Sequence, residues 1–176
     1  DESWLSATSD TILRAFLRNI AGVDQEVMRR LKWWMMNVLV VCGIEVQGEH
    51  LGLDSALLLL SPSRPEFDAI LTRVGPELLR LRPDVRDDFL KLRATRNARQ
   101  QEGWVESALG LLRDSMRPMM RQTFGQMAQS FSHRDAILQR KIVLVDVSEN
   151  DYLSREEGKQ FGGIWYQLLT AAARRL

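Results

Sequence analysis

Residues 141–147 read Lys-Ile-Val-Leu-Val-Asp-Val, and this stretch is the strongest single signal for the fold. Its aliphatic residues are mostly β-branched, and polar and apolar positions hardly alternate. A run of this kind is typical of a β-strand that is buried on both faces, as in a parallel sheet. We therefore predict one buried strand over residues 141–147.

The residues that follow this strand predict a long helix. Ser154-Arg155-Glu156-Glu157 has the spacing of a capping box, and apolar residues then recur at helical spacing as far as Leu176. A strand, a loop and a helix form half of a βαβ unit, and such a strand needs neighbours for its backbone groups. Either Val38–Val46 pairs with it in a small sheet, or the chain is a section of a larger α/β protein.

The residues before the strand predict a helical bundle. Apolar residues recur near a period of 3.6 from Trp4 to Ile20, and Asp24 opens a strongly apolar segment from Gln25 to Cys42. Periodicity does not separate a helix from a strand at Val38–Val41. Proline residues divide the next part of the chain. The predicted helices there are Glu66–Val74, Glu77–Leu81, Asp84–Ala98 and Gln101–Met116, with a further helix beginning at Pro118. The fold class is mainly α, with a helical domain at 1–138 and a strand–loop–helix unit at 139–176.

Composition narrows the protein class. The chain has 176 residues, of which 45% are hydrophobic and 27% charged, so the whole chain is not disordered. The formal net charge of +1 gives no gross polycation character. The single Cys42 forms no intramolecular disulfide, which favours a reducing compartment. Because the apolar run Trp33–Val46 falls short of the roughly 20 residues that cross a bilayer, we expect no transmembrane segment and a cytoplasmic location.

Catalytic and cofactor motifs are missing from the sequence. It contains no phosphate-binding loop, no Gly-x-Ser-x-Gly elbow and no His-Glu-x-x-His. Asp146 and Glu149 follow the predicted strand, where α/β proteins place ligands, but loop structure and helix capping are the favoured roles. A Mg²⁺ or Mn²⁺ enzyme built on these two carboxylates is the weaker alternative. We expect no cofactor and no metal in this chain, and whether it belongs to an enzyme stays open.

Arginine residues are the main candidates for binding. Seven basic residues against three acidic ones lie between Arg80 and Arg99. Two trios recur at helical spacing and are predicted to form basic ridges that contact DNA phosphates. They are Arg93, Arg96 and Arg99, and Arg113, Arg117 and Arg121. The alternative for each arginine is a solvated face with local ion pairs.

Aromatic and methionine clusters have a structural and a functional interpretation. Trp33-Trp34-Met35-Met36 is predicted to be core, with base stacking as the alternative. A methionine stripe at helical spacing is predicted to be core, with binding of a partner helix as the alternative. It consists of Met116, Met119, Met120 and Met127. His133, beside Asp135, is predicted to lie in a surface turn.

The order of these features resembles a family, the HerA/FtsK-like DNA-pumping ATPases, and within it the coupling proteins of conjugation and type IV secretion. Four segments carry the resemblance, and the last is the clearest. They are Trp4–Ile20, with Asp10–Leu17; Leu53–Leu71, with Asp54–Pro62 and Glu66-Phe67; Leu111–Arg121; and Gln139–Leu176, where Lys141–Ser148 leads to Glu157–Gly162. In the family an all-helical insertion interrupts the motor domain, and the chain returns to the central sheet through a strand similar to residues 141–147.

The resemblance implies a section of a ring-forming, hexameric motor. Its helical part would sit at the mouth of the ring and contact incoming DNA, or a relaxosome or secretion-substrate protein that delivers it. ATP and Mg²⁺ would be bound by other parts of the motor, since this chain lacks the phosphate loop and the acidic hydrolysis motif. The alternative from the residues alone is a self-contained helical protein–protein interaction module.

Overall fold

The computed structural model describes residues 2–17, 20, 22–47, 49–116, 133–150 and 153–173. This part of the chain is mainly helical, as predicted. Two very short strands are the remaining regular elements in this part of the chain. In chain order the elements are α1 (Glu2–Leu17), α2 (Gln25–Gly43), β1 (Glu45–Val46), β2 (Glu49–His50), α3 (Leu53–Leu59), α4 (Pro65–Leu81), α5 (Pro83–Ala94), α6 (Ala98–Ser115), α7 (His133–Leu138) and α8 (Arg155–Ala173).

Helix α2 is the centre of the bundle. The Asp24 carboxylate caps it by accepting hydrogen bonds from the backbone N–H groups of Glu26 (2.9 Å) and Val27 (3.4 Å). The run Val38–Val41 continues the helix, so the helical alternative is correct there and the strand alternative is wrong. Helices α1, α3 and α6 all pack against α2, which explains why its second half is buried.

Helices from both predicted parts of the chain share one core. Helix α1 packs on α2 and also on α8, so α8 closes the bundle. Phe161 and Ile164 of α8 lie in the same buried cluster as Leu5 and Phe89. Gly43 allows the close approach of α1 and α2, since a Cβ at this position would lie 2.6 Å from Leu5 Cδ1. The boundary between 138 and 139 stays a prediction, and across it the side chains pack continuously.

Helix α4 passes through Pro76, where two separate helices were predicted. Proline has no N–H, so the carbonyl of Thr72 loses its helical donor. The helix continues because Val74 and Leu78, on either side of the proline, are fully buried. Packing of an apolar face therefore outweighs the lost hydrogen bond.

Residues 141–147 do not form the predicted buried strand, and this part of the prediction is wrong for this structure. The segment has no regular secondary structure and makes no backbone hydrogen bond between residues 142 and 147 within the described chain. Ile142 and Leu144 are 91% and 92% exposed, whereas Val143 and Val145 are 36% exposed. Among the described residues no strand lies beside this segment, so it lacks the inter-strand hydrogen bonds that define a β-strand.

Val38–Val46 does not supply the missing sheet either, which corrects the small-sheet alternative. Most of this run is helix, and its end, Glu45–Val46, pairs antiparallel with Glu49–His50. Gln47, which follows the first strand, has a φ of 56°, the left-handed conformation that tight hairpin turns require. Among the described residues, the strand residues that follow α2 are therefore paired with each other in this hairpin and not with residues 141–147.

The segment is anchored at both ends. Before it, Lys141 N–H bonds the Ala136 carbonyl and Arg140 N–H bonds the Ile137 carbonyl, with Arg140 at a φ of 53°. This is a Schellman motif that ends α7. After it, Val147 packs on α8, where Gly158 leaves room for the Val147 carbonyl.

The predicted capping box starts α8. The Ser154 Oγ accepts a hydrogen bond from Glu157 N–H (3.3 Å), and the Glu157 carboxylate accepts one from Ser154 N–H (2.9 Å). Gln160 then donates to the Ser115 hydroxyl at 2.9 Å, which joins α8 to the end of α6. The prediction of the helix start is confirmed.

Candidate nucleic-acid interface

The first arginine trio lies at the junction of α5 and α6. Helix α5 ends at Ala94, and α6 begins at Ala98 after Asn97, whose side chain accepts a hydrogen bond from Gln100 N–H at 3.3 Å. The prediction of one helix running to Ala98 is wrong, because the chain turns extended at Thr95.

This break separates the members of the trio. Arg93 lies in the last turn of α5, Arg96 in the connection and Arg99 in the first turn of α6. All three are exposed, but they do not form the predicted continuous ridge.

Arg93 is already engaged by a carboxylate. Its Nε and a terminal nitrogen donate to the two oxygens of Asp68 on α4, at 3.0 and 2.8 Å. Such a fork-to-fork pair satisfies the guanidinium geometry that a phosphate would use. Arg93 therefore contributes little to a phosphate site while this pair is intact.

Arg96 and Arg99 carry the positive charge of the junction. Neither has an ion-pair partner among the described residues. The first turn of α6 contains no acidic residue, so the partial positive charge of this helix end is not neutralised locally. Two free guanidinium groups beside a helix N-terminus create a positive potential that attracts polyanions.

Arg113 is remote from that junction. It follows Arg99 by 14 residues, which is about 21 Å along the helix and about 40° short of four full turns. The two arginines thus share one side of α6, but Glu106 lies midway between them and would repel phosphate there. Arg117 and Arg121 lie outside the described residues, so the second ridge stays a prediction.

The acidic loop after residue 145 has ordinary turn structure. The Asp146 carboxylate accepts hydrogen bonds from Ser148 N–H at 2.9 Å and from the Ser148 hydroxyl at 2.6 Å, and these bonds lower the pKa of Asp146. Among residues that the structure describes, no group of three or more His, Cys, Asp or Glu side chains is arranged to hold a metal ion. The geometry supports the loop interpretation of Asp146.

His133 differs from its prediction. It starts α7 and is half-buried, and its ring centroid lies 4.6 Å from that of Trp165 on α8. Burial lowers the pKa of His133, since desolvation disfavours the charged imidazolium. The prediction of a surface turn is wrong because α7 packs against α8 here.

The tryptophan pair is divided between core and surface. Trp34 is 6% exposed and contacts Phe89, with ring centroids 5.8 Å apart, and Met35 is fully buried. Trp33 points away from this contact and is 56% exposed. The core interpretation therefore holds for Trp34 and Met35, and Trp33 is a surface side chain.

Asp68 was not predicted as the partner of Arg93. The two residues are 25 positions apart, so no local spacing rule connects them. The signal that was present is the antiparallel pairing of α4 and α5 about Arg82, which places Asp68, 14 residues before it, near Arg93, 11 residues after it. Treating residues 65–81 as one helix would have suggested the pair.

Comparisons with protein-family models, with curated proteins and with solved structures returned no match. In the described part of the chain no helix is long and apolar enough to cross a membrane. The function of the chain is therefore inferred from the geometry of these residues.

Proposed function

We propose that this chain is the helical, DNA-contacting section of a larger α/β protein of the ring-forming DNA-translocating type. The observation that carries the proposal is the segment 141–147. It is apolar, its exposed fractions alternate from residue to residue as along an extended chain, its backbone between 142 and 147 is unpaired within the described chain, and it precedes α8.

The two faces of this segment support its assignment to a sheet. The odd-numbered face is partly covered and ends at Val147, which packs on α8, as a strand packs on its following helix in α/β proteins. The even-numbered face, with Ile142 and Leu144, is bare. Neighbouring strands and a second helical layer would cover the backbone and side-chain groups of this segment that are exposed in this chain.

In this proposal DNA is contacted through its phosphates at the α5–α6 junction. Arg96 and Arg99 act as electrostatic grips and do not read base sequence. ATP, Mg²⁺ and the hexameric ring belong to the rest of such a motor, which operates in the cytoplasm. A relaxosome or secretion-substrate protein is the expected delivering partner.

Binding of a dye-labelled DNA duplex, followed by fluorescence anisotropy at several salt concentrations, tests the contact. We expect the double variant R96E/R99E to bind at least about tenfold more weakly at low salt. We expect its salt slope to be smaller by about 1.8, because two phosphate contacts are lost. A labelled single strand run in parallel reports which form of DNA is preferred.

The matched control is R134E/R155E, which makes the same charge change elsewhere. Arg155 is the first residue of α8. This helix contacts α6 through the hydrogen bond from Gln160 to Ser115, and Ser115 lies at the opposite end of α6 from Arg99. The control should bind like the unmodified chain. The DNA-binding proposal fails if the unmodified chain does not bind, if R96E/R99E binds like it, or if the control loses affinity equally.

A helical protein–protein interaction module is the second candidate. The exposed apolar pair Ile142 and Leu144 favours it, because such a pair on an extended backbone can join another protein's sheet edge. This candidate predicts cooperative melting of the isolated chain together with no affinity for single- or double-stranded DNA. Salt-dependent DNA binding at the α5–α6 junction would instead favour the motor section.

A further inference from the structure

The ion pair between Asp68 and Arg93 joins two helices beside the proposed DNA contact. Its two hydrogen bonds, at 3.0 and 2.8 Å, connect α4 to the last turn of α5. Most other arginine pairs in the described residues are local and lie within one helix or its cap, for example Arg14 with Asp10 on α1. The Asp68–Arg93 pair is therefore a tertiary contact at the edge of the junction.

Arg93 is close in sequence to the two arginines of the junction that have no ion-pair partner within the described chain. It precedes Arg96 by three residues and Arg99 by six. The charge that the junction presents thus depends on whether Arg93 is neutralised by Asp68.

The ion pair between Asp68 and Arg93 can open and re-form. The side chains of Arg93 and Asp68 are 46% and 52% exposed, so water and salt screen their attraction. A phosphate offers two oxygens in the same fork geometry as the carboxylate. The carboxylate and a DNA phosphate therefore compete for one guanidinium.

We infer that Asp68 regulates the DNA contact by withholding Arg93 from phosphate, an inference that rests on the proposed function. Removing the negative charge of Asp68 converts a junction with two available arginines into one with three. The partner class is a polyanionic nucleic-acid backbone.

The salt dependence of DNA binding tests this inference. Asp68→Asn removes the competing carboxylate and keeps the side chain's shape. We expect its salt slope to be steeper by about 0.9, which is about a 3.5-fold larger loss of affinity between about 50 and 200 mM salt. Its affinity at low salt should exceed that of the unmodified chain. Circular dichroism verifies that the helices are intact, as expected for a half-exposed pair.

Two controls separate a local effect from a general one. The double variant D68N/R93Q has the net charge of the unmodified chain and should regain its slope, because the released arginine is gone. Asp10→Asn frees Arg14 on α1 and makes the same charge change as Asp68→Asn, but on a helix that is not part of the α5–α6 junction. It should leave the slope unchanged.

Each result has a distinct meaning. If no variant and no unmodified chain binds DNA, the proposed function fails. If the unmodified chain binds and Asp68→Asn has the same slope, or if Asp10→Asn or D68N/R93Q matches Asp68→Asn, the masking of Arg93 is refuted while the DNA contact stands.

Discussion

Two aliphatic runs of nearly the same composition differ in secondary structure and in exposure to solvent. Val38-Leu39-Val40-Val41 is helical and at most 4% exposed. Ile142-Val143-Leu144-Val145 lies outside any helix or strand, and its exposed fractions range from 36% to 92%. The chemistry of the side chains is therefore not what separates the two runs.

The difference indicates that tertiary packing, and not composition, determines whether a short β-branched run forms a helix. Three helices surround the first run, and burial of its side chains outweighs the preference of valine for strands. The second run follows α7, and it is Val147, two residues after the run, that packs on the core. It forms no helix, and within the described residues it lacks the sheet that would bury it.

The largest test of this comparison places a charge in each run. Val40→Asp buries a carboxylate at a fully buried site and should reduce the free energy of unfolding by more than about 4 kcal/mol. Ile142→Asp should change it by less than about 0.5 kcal/mol, because that side chain is already in water. Urea denaturation followed by circular dichroism measures both. A large loss for Ile142→Asp would mean that this run is buried in solution.

A second test concerns the contact between Val147 and α8. A Cβ at Gly158 would collide with the Val147 carbonyl, and backbone cannot move aside easily. Gly158→Ala should therefore cost about 1–3 kcal/mol of stability. Gly163→Ala is the control on the same helix, because a Cβ there meets open space, and it should gain about 0.5–1 kcal/mol. Equal effects of the two substitutions on the urea midpoint would remove the argument for the Val147 contact.

A third test concerns the turn that starts the exposed run. Arg140 holds a left-handed conformation, which costs a residue with a Cβ about 1–2 kcal/mol. Arg140→Gly should stabilise the chain by about 0.5–1 kcal/mol, since glycine adopts this conformation without strain. Arg86→Gly, inside α5, should instead cost about 1 kcal/mol. A loss of stability from Arg140→Gly would contradict the described Schellman motif.

The smallest expected effect is the pH dependence from His133. Burial lowers the pKa of this side chain from 6.5, so the folded chain binds its proton less readily than the unfolded chain. Its contribution to stability is complete above pH 6.5 and is lost as the pH falls through the lowered pKa.

We expect the melting temperature to fall as the pH is lowered below 6.5. His133→Phe, which keeps an aromatic ring against Trp165, should reduce this fall, and His50→Gln should retain it. An unchanged slope in His133→Phe would mean that another group causes the pH dependence.

The sequence was most informative where the controlling interactions are local. The Asp24 cap and the Ser154–Glu157 capping box depend on residues two or three positions apart, and both are present. Helical periodicity likewise identified the apolar segments that form most of the core. Pro76 was misleading because its local cost is offset by tertiary burial, which periodicity does not measure.

The candidate site depended on contacts that no local rule contains. Arg93, Arg96 and Arg99 have helical spacing, but the chain turns at Thr95, so their common ridge does not exist. The Asp68–Arg93 pair needs the packing of α4 against α5. The exposed run 141–147 has a strand's composition, whereas a strand also needs a partner, and composition carries no information about the partner.

Hydrogen–deuterium exchange of backbone amides tests the central comparison most directly. The account predicts that the amides of residues 142–147 exchange at nearly the rate of an unstructured peptide, while those of Val38–Cys42 are slowed by at least about a thousandfold. Slow exchange throughout 142–147 in the isolated chain would contradict it, because the segment would then already have hydrogen-bonded partners.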